Sequence, residues 1–97
     1  MKGIVFTEFL ELVEHKFGLE VVDEIIEKSN LPSQGVYTSI GTYDFSEMLA
    51  LLKHLSEKTS ISIDDLLLVY SEHFFSVLAS SYPDLIKQYT ELLNFTN

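Results

Sequence analysis

The sequence predicts an all-α protein of about five helices that form a single domain over residues 1–97. Apolar residues recur at spacings of three and four along most of the chain, which is the period of amphipathic helices. Breaker residues separate these periodic segments at Gly18, at residues 30–35 and at residues 80–83. A chain of 97 residues also has room for one modest hydrophobic core and little more.

The first two predicted helices span residues 4–17 and about 20–29. Gly18 is expected to end the first of them in a left-handed conformation, because glycine has no Cβ to clash there. The breaker sequence at residues 30–35 ends the second. The apolar side of the first helix carries Ile4, Val5, Phe9, Leu12, Val13 and Phe17.

Residues 36–42 are the β-prone stretch of the chain, and they predict an extended connector between the second and third helices. The third helix is predicted over about 45–58. Asp44 is its expected N-cap, since an aspartate carboxylate can accept a bond from a free backbone N–H of the first turn.

The fourth predicted helix, at residues 62–79, has the strongest helical pattern. Ser62 is its expected N-cap, and Asp64 and Asp65 lie where the helix dipole favours negative charge. Its apolar residues occupy several sides, and a helix of this kind must be surrounded. A short chain can surround it only in part, so we expect a partner, a cofactor or further chain to cover the rest.

The last predicted helix begins at Pro83, because proline suits the first turn of a helix. It stops at Asn97 without a clear cap and with its apolar pattern unfinished. Both of the last two helices therefore predict a domain that is incomplete at its C-terminus.

The charge balance excludes several classes of function. Fifteen carboxylates face six lysines and no arginine, for a formal charge of −9, so binding to nucleic acid is not expected. The absence of cysteine excludes disulfides and thiolate metal sites. No apolar run approaches the ~20 residues of a membrane span and no signal peptide is present, which predicts a soluble, cytoplasmic protein.

No residue pattern indicates an enzyme. His15, His54 and His73 lack the spacing of a metal site, which needs three or four convergent ligands. Ser71, His73 and Asp64 lie on one helix and cannot converge as a catalytic triad. We therefore expect no catalytic and no metal-binding residues.

Aromatic residues provide the remaining signal. Together with two aliphatic side chains, they can line one apolar cavity. Their periodicity is more often that of an ordinary helical core, so the pattern alone leaves both interpretations open. The residues of this set are Val5, Phe6, Phe9, Phe74, Phe75, Leu78 and Tyr82.

Six short segments have a characteristic order and spacing. They are MKGIVF at residues 1–6, FG at 17–18, VVDE at 21–24, VYTS at 36–39, Tyr43, and SYP at 81–83 after the long fourth helix. In this arrangement they resemble the haem nitric oxide/oxygen-binding (H-NOX) family. The resemblance covers essentially the whole chain.

The resemblance implies the N-terminal helical part of a haem domain, which packs over one face of the haem. Val5, Phe9, Phe74 and Leu78 match positions that line the distal, gas-binding side. Because these four side chains are apolar, they offer no hydrogen bond to bound O₂, and nitric oxide needs such a bond less. Nitric oxide is therefore the predicted gas.

Met1 and Tyr82 match positions near the edge of the porphyrin in the same family. The family also implies a signalling partner, such as a histidine kinase or a cyclic-nucleotide enzyme. Gas binding would shift the haem and the helices, and the partner would respond to that shift.

Two elements that hold haem in this family have no counterpart here. The proximal histidine of the family lies a few residues beyond Asn97, and no histidine of this chain matches it. The family's Tyr-x-Ser-x-Arg motif is imitated at residues 37–41, but Gly41 stands where arginine is needed. The resemblance therefore implies the N-terminal piece of a domain nearly twice this length, which holds haem poorly by itself.

Two hypotheses follow from the sequence. The first is a fragment of a nitric oxide-sensing haem domain that forms the distal wall of the haem pocket. The alternative is a haem-free helical module, in which the apolar faces of the fourth and fifth helices bind a protein or a second copy of the chain. Binding to a second copy would make the protein a homo-oligomer.

Overall fold

A computed structural model describes residues 1–84, 87, 88 and 91 of the chain. Four helices lie within this part: α1 (Gly3–Phe17), α2 (Leu19–Ser29), α3 (Phe45–Thr59) and α4 (Ile63–Ser81). The all-α class is confirmed, with four helices in place of the predicted five. Pro83 and Asp84 are helical again, as expected, but most of the predicted fifth helix lies outside the described residues.

The predicted N-caps of α3 and α4 are confirmed. The Asp44 carboxylate accepts a bond of 2.9 Å from the Ser46 N–H, and the Ser62 hydroxyl accepts one of 3.1 Å from the Asp65 N–H. Hydrogen bonding from Ser46 also lowers the pKa of the Asp44 carboxyl. Each cap therefore satisfies a backbone donor that the first helical turn leaves free.

Gly18 differs in part from its prediction. Its φ of 96° is positive, as expected, but its ψ of 163° is extended and not that of a left-handed helical residue. The reason is that α2 begins at Leu19, so Gly18 ends one helix and starts the next. Its N–H donates to the Glu14 carbonyl at 2.8 Å, which closes the last turn of α1.

The extended connector docks on the N-terminus of α1. The Gly3 N–H donates to the Gly41 carbonyl at 2.9 Å, and the Ile4 N–H donates to the Ser39 carbonyl at 3.1 Å. Met1 and Tyr43 exchange two further backbone bonds, each of 2.9 Å. The connector thus supplies the cap that the Lys2 side chain does not provide to α1.

The hydrophobic core lies between the four helices and the connector. Phe6 stands at its centre with no exposed surface, stacked on Tyr37 at 4.4 Å and meeting Tyr43 edge-on at 5.7 Å between ring centroids. The other fully buried large side chains are Phe9, Ile25, Leu51, Leu52 and Leu55.

One carboxylate, that of Glu47 on α3, is buried at the edge of this core. Its Oε1 accepts bonds from the Ser33 hydroxyl at 2.6 Å and from the Tyr37 hydroxyl at 3.0 Å. Buried charges need such donors, because removal from water is costly without them. Glu47 thereby ties two points in the first half of the loop between α2 and α3 to the third helix.

We expect the replacement Tyr37→Phe to change the alkaline stability of the chain. Burial raises the pKa of Tyr37 to about 12 in the folded state, against an ordinary value near 10. The neutral hydroxyl therefore stabilises the fold fully below about pH 10, and this contribution is lost as the pH rises towards 12. Urea unfolding at neutral and alkaline pH should show a shallower alkaline decline for the variant.

The same replacement should cost about 1 kcal/mol at pH 7, because the bond to Glu47 is lost. The loss of stability at alkaline pH should be reduced in the variant and not abolished, since burial also raises the pKa of Tyr70. Parallel pH profiles for the two proteins would contradict this account of Tyr37.

Surplus apolar surface on α4 confirms the expectation from its sequence. Leu66 and Tyr70 are buried, whereas Leu68 is 59% and Phe75 is 54% exposed. Among the residues that the structure describes, no helix combines the length and the apolar character needed to cross a membrane.

Candidate functional site

Helices α1 and α4 together form an apolar wall around one buried tyrosine, Tyr70. Its hydroxyl donates a hydrogen bond to the Val5 carbonyl on α1. Its ring meets Phe9 edge-on at 5.3 Å and lies tilted against Phe74 at 5.8 Å between centroids. The fold therefore gathers three residues of the predicted distal site, Val5, Phe9 and Phe74, at one point.

Leu78 extends this wall along α4. It shares a shallow groove of about 270 Å³ with Phe74, Phe75, Tyr70 and Ser71. Four of these five side chains present carbon or aromatic surface, so the groove suits an apolar partner. Phe74 and Leu78 thus line this groove on α4, whereas Phe9 is 2% exposed in the core and Val5 is joined to Tyr70 through its backbone carbonyl.

The two predicted edge residues lie elsewhere. Met1 is 38% exposed and its backbone is bonded to Tyr43 of the connector. Tyr82 is 52% exposed and follows the end of α4, with its N–H donating to the Leu78 carbonyl at 2.7 Å. Their assignment to the edge of a porphyrin stays a prediction.

Phe6 does not line a cavity with the other aromatic residues. It has no exposed surface and is stacked on Tyr37 in the core, so for this residue the core interpretation is correct. Phe75 is 54% exposed and lies in the groove with Phe74 and Leu78.

A second, larger cavity of about 390 Å³ lies between α1, α3 and α4, and sequence analysis did not predict it. Tyr70 and Phe9 line it, so they border both the cavity and the wall. Such a space forms only when three helices meet at particular angles, which periodicity does not reveal. The other lining residues are Leu12, Val13, Lys16, Phe17, Leu55, Ile61, Leu66 and Val69.

Two of the three histidines lie beside carboxylates, and none of the three lines the groove on α4. His73 Nε2 lies 3.4 Å from Glu8 Oε2, and His54 Nδ1 lies 3.6 Å from Glu57 Oε2. His15 is exposed on α1 and lines a cavity with His73 and Glu8. In the part of the chain with described coordinates, no group of three or more metal-binding side chains could hold a metal ion.

The fold and this surface define a class: a helical layer that offers one aromatic wall to an apolar ligand or cofactor. The sequence profile of the Haem-NO-binding family matches residues 2–97. The chain therefore belongs to this family of haem-binding gas-sensor domains, the H-NOX family.

Solved H-NOX proteins have the same fold. The unliganded Fe(II) H-NOX protein from K. algicida is 69% identical, with a TM-score of 0.88 over 91% of this chain and 48% of that protein. The H-NOX protein from Shewanella woodyi, bound to IWP-051 in its Fe(II)CO state, is 36% identical, with a TM-score of 0.81 over 97% of this chain and 51% of that protein.

A mutant Fe(II) H-NOX protein from S. oneidensis is 28% identical, with a TM-score of 0.79 over 91% of this chain and 47% of that protein. The chain thus spans about half the length of these relatives. No curated protein matches it.

The lining of the groove on α4 is compatible with the apolar face of a haem, and we assign no residue to the iron. The groove of Phe74, Phe75 and Leu78 is apolar, as the face of a porphyrin requires. The histidines of the described chain pair with Glu8 and Glu57 or lie exposed, so none is assigned to iron. The chain's own residues can therefore provide a wall for haem, but we assign it no axial ligand.

Tyr70 is the site residue that the sequence analysis missed. In the sequence it is one of the residues that keep the helical period of the fourth helix. The sequence feature that could have indicated it is a side chain with a hydroxyl group, one turn before Phe74, among the apolar residues of the fourth helix. A buried tyrosine hydroxyl needs an acceptor, so such a residue indicates a polar contact across the helices.

Proposed function

We propose that this chain forms the distal wall of the haem pocket in a nitric oxide-sensing H-NOX domain. The observation that supports the proposal is the convergence of Val5, Phe9 and Phe74 on Tyr70, with Leu78 in the adjoining groove. When bound, haem supplies the iron that takes up a diatomic gas. The chain's residues supply an apolar surface that excludes water from that side.

The preference for nitric oxide over O₂ rests on the absence of a donor among the four wall side chains. Val5, Phe9, Phe74 and Leu78 carry no N–H or O–H group, and the Tyr70 hydroxyl is bonded to the Val5 carbonyl. Bound O₂ carries partial negative charge and gains from a hydrogen bond, while nitric oxide gains less. This wall therefore favours nitric oxide.

The protein is proposed to act as a sensor and not as an enzyme. Its role would be the N-terminal helical half of the domain, while the other half would hold the iron and the propionates. A change in the position of the wall would then be passed to a cytoplasmic histidine kinase or cyclic-nucleotide enzyme.

A haemin titration with added imidazole tests this function. Imidazole can supply the axial ligand to the iron, for which we assign no residue of this chain. We expect the 97-residue chain to give a saturable Soret band. Leu78→Asp should weaken haemin binding at least tenfold, since a carboxylate would be buried against the porphyrin. After reduction, the sample should bind nitric oxide and should not hold O₂.

Val69→Asp is the matched control, because it adds the same charge to the same helix. Val69 lies nine residues before Leu78, which is about two and a half turns and therefore the opposite side of α4. We expect it to change haemin affinity about twofold or less. Equal losses in both variants, or a colourless oligomer that ignores haemin, would overturn the proposal, and the oligomer would support the self-association module instead.

A further inference from the structure

Tyr70 contacts most of the proposed distal wall by itself. It is 7% exposed on α4, its hydroxyl bonds to the Val5 carbonyl 65 residues earlier, and its ring touches Phe9 and Phe74. It also borders both the cavity of about 390 Å³ and the groove of about 270 Å³. A change at Tyr70 should therefore alter the positions of wall residues on both α1 and α4.

Two features favour the hydrogen bond from Tyr70 to Val5. A backbone carbonyl has two lone pairs, so the Val5 carbonyl can accept from Tyr70 while it also serves its own helix. Burial, with a further contribution from Glu8, raises the pKa of the Tyr70 hydroxyl, which therefore keeps its proton at physiological pH. The hydroxyl is therefore available as a donor to α1 at physiological pH.

A second polar contact between these helices is weaker. His73 and Glu8 are separated by 3.4 Å, and their side chains are 33% and 20% exposed. Partly solvated pairs of this kind contribute little, because water competes for both partners. Tyr70 is therefore the buried polar link between α1 and α4.

We propose that Tyr70 is the positioning residue of the distal wall. Its bond to Val5 sets the separation of α1 and α4, and the same bond withholds its hydroxyl from the pocket. This inference rests on the proposed function, because it gives Tyr70 a part in determining the gas that the wall favours. Its structural part, the link to Val5, can be tested without haem.

The replacement Tyr70→Phe removes the hydroxyl and keeps the ring, and Tyr43→Phe is its control. The Tyr43 hydroxyl accepts a bond of 2.8 Å from the Thr38 N–H and lies 3.4 Å from the Thr38 hydroxyl. The control therefore also removes a hydrogen-bonded tyrosine hydroxyl, but one beside the connector and not between α1 and α4. In haem-free protein, NMR should show that Tyr70→Phe shifts the Val5 carbonyl carbon and the ring signals of Phe9 and Phe74. Tyr43→Phe should leave these signals in place.

With haemin, imidazole and CO as the probe, the reduced Tyr70→Phe sample should show a shifted or broadened C–O stretching band, and Tyr43→Phe should not. Equal effects of the two variants in either measurement would overturn the proposal. If the wild-type chain binds no haemin but the NMR shifts occur, the proposed function fails and the link to Val5 stands.

A measurement on the wild-type chain covers the case in which Tyr70→Phe does not fold. The Tyr70 hydroxyl proton should exchange slowly with water and should show a contact to the Val5 carbonyl region. Fast exchange of this proton would show that no persistent link exists and would also overturn the proposal.

Discussion

Replacement of Gly3 by alanine should strongly destabilise the fold. A Cβ at this position would lie 1.7 Å from the Thr38 carbonyl oxygen and 2.9 Å from a ring carbon of Tyr43. Backbone cannot yield by this much without breaking the bonds from Gly3 and Ile4 to the connector. We expect a loss of about 3 kcal/mol or more in the free energy of unfolding, measured by urea denaturation followed by circular dichroism.

Gly18→Ala is the matched control for this prediction, because it makes the same chemical change at the other end of α1. Gly18 has a positive φ of 96° but open space around it, so alanine there meets backbone strain without a clash. A residue other than glycine at these backbone angles costs about 1–3 kcal/mol. A Gly3→Ala protein as stable as the Gly18→Ala protein would show that the connector does not dock on α1 as described.

Phe6→Ala should have the second large effect on stability. The side chain has no exposed surface and joins α1 to the connector through Tyr37 and Tyr43. Truncation of a buried phenylalanine costs about 3–5 kcal/mol, because apolar contacts are lost and a cavity remains. The midpoint temperature of thermal unfolding and the midpoint concentration of urea unfolding should both fall strongly in the variant.

Phe75→Ala provides the matched control, since it removes the same side chain from an exposed position. Phe75 is 54% exposed in the groove on α4, so the expected cost in stability is about 1 kcal/mol or less. The two variants also separate the core from the proposed haem surface, because Phe75→Ala should weaken haemin binding without unfolding the chain. Similar stability losses in both would contradict the assignment of Phe6 to the core.

The helices and their caps could be predicted from the sequence because their causes are local. The spacing of apolar residues predicted α1 to α4 to within two residues at each end. Asp44 and Ser62 cap their helices through N–H groups only two or three residues away. The excess of apolar surface on α4 was also predictable, since it follows from composition and period alone.

The candidate site was predictable only in part. The resemblance to H-NOX proteins pointed to Val5, Phe9, Phe74 and Leu78, and the fold places the first three around Tyr70 and Leu78 in the adjoining groove. Their role towards haem stays a prediction. Neither the periodicity nor the resemblance indicated the buried carboxylate of Glu47 or the larger cavity between α1, α3 and α4.

The sequence by itself therefore determined the helices, their caps and the family. Only the tertiary structure decided which residues meet across the helices. Tyr70 reaches a carbonyl 65 residues away, and the connector caps α1 from about 38 residues along the chain. Contacts of this kind depend on how the helices and loops pack, whereas helix period and capping act between neighbours within about four residues.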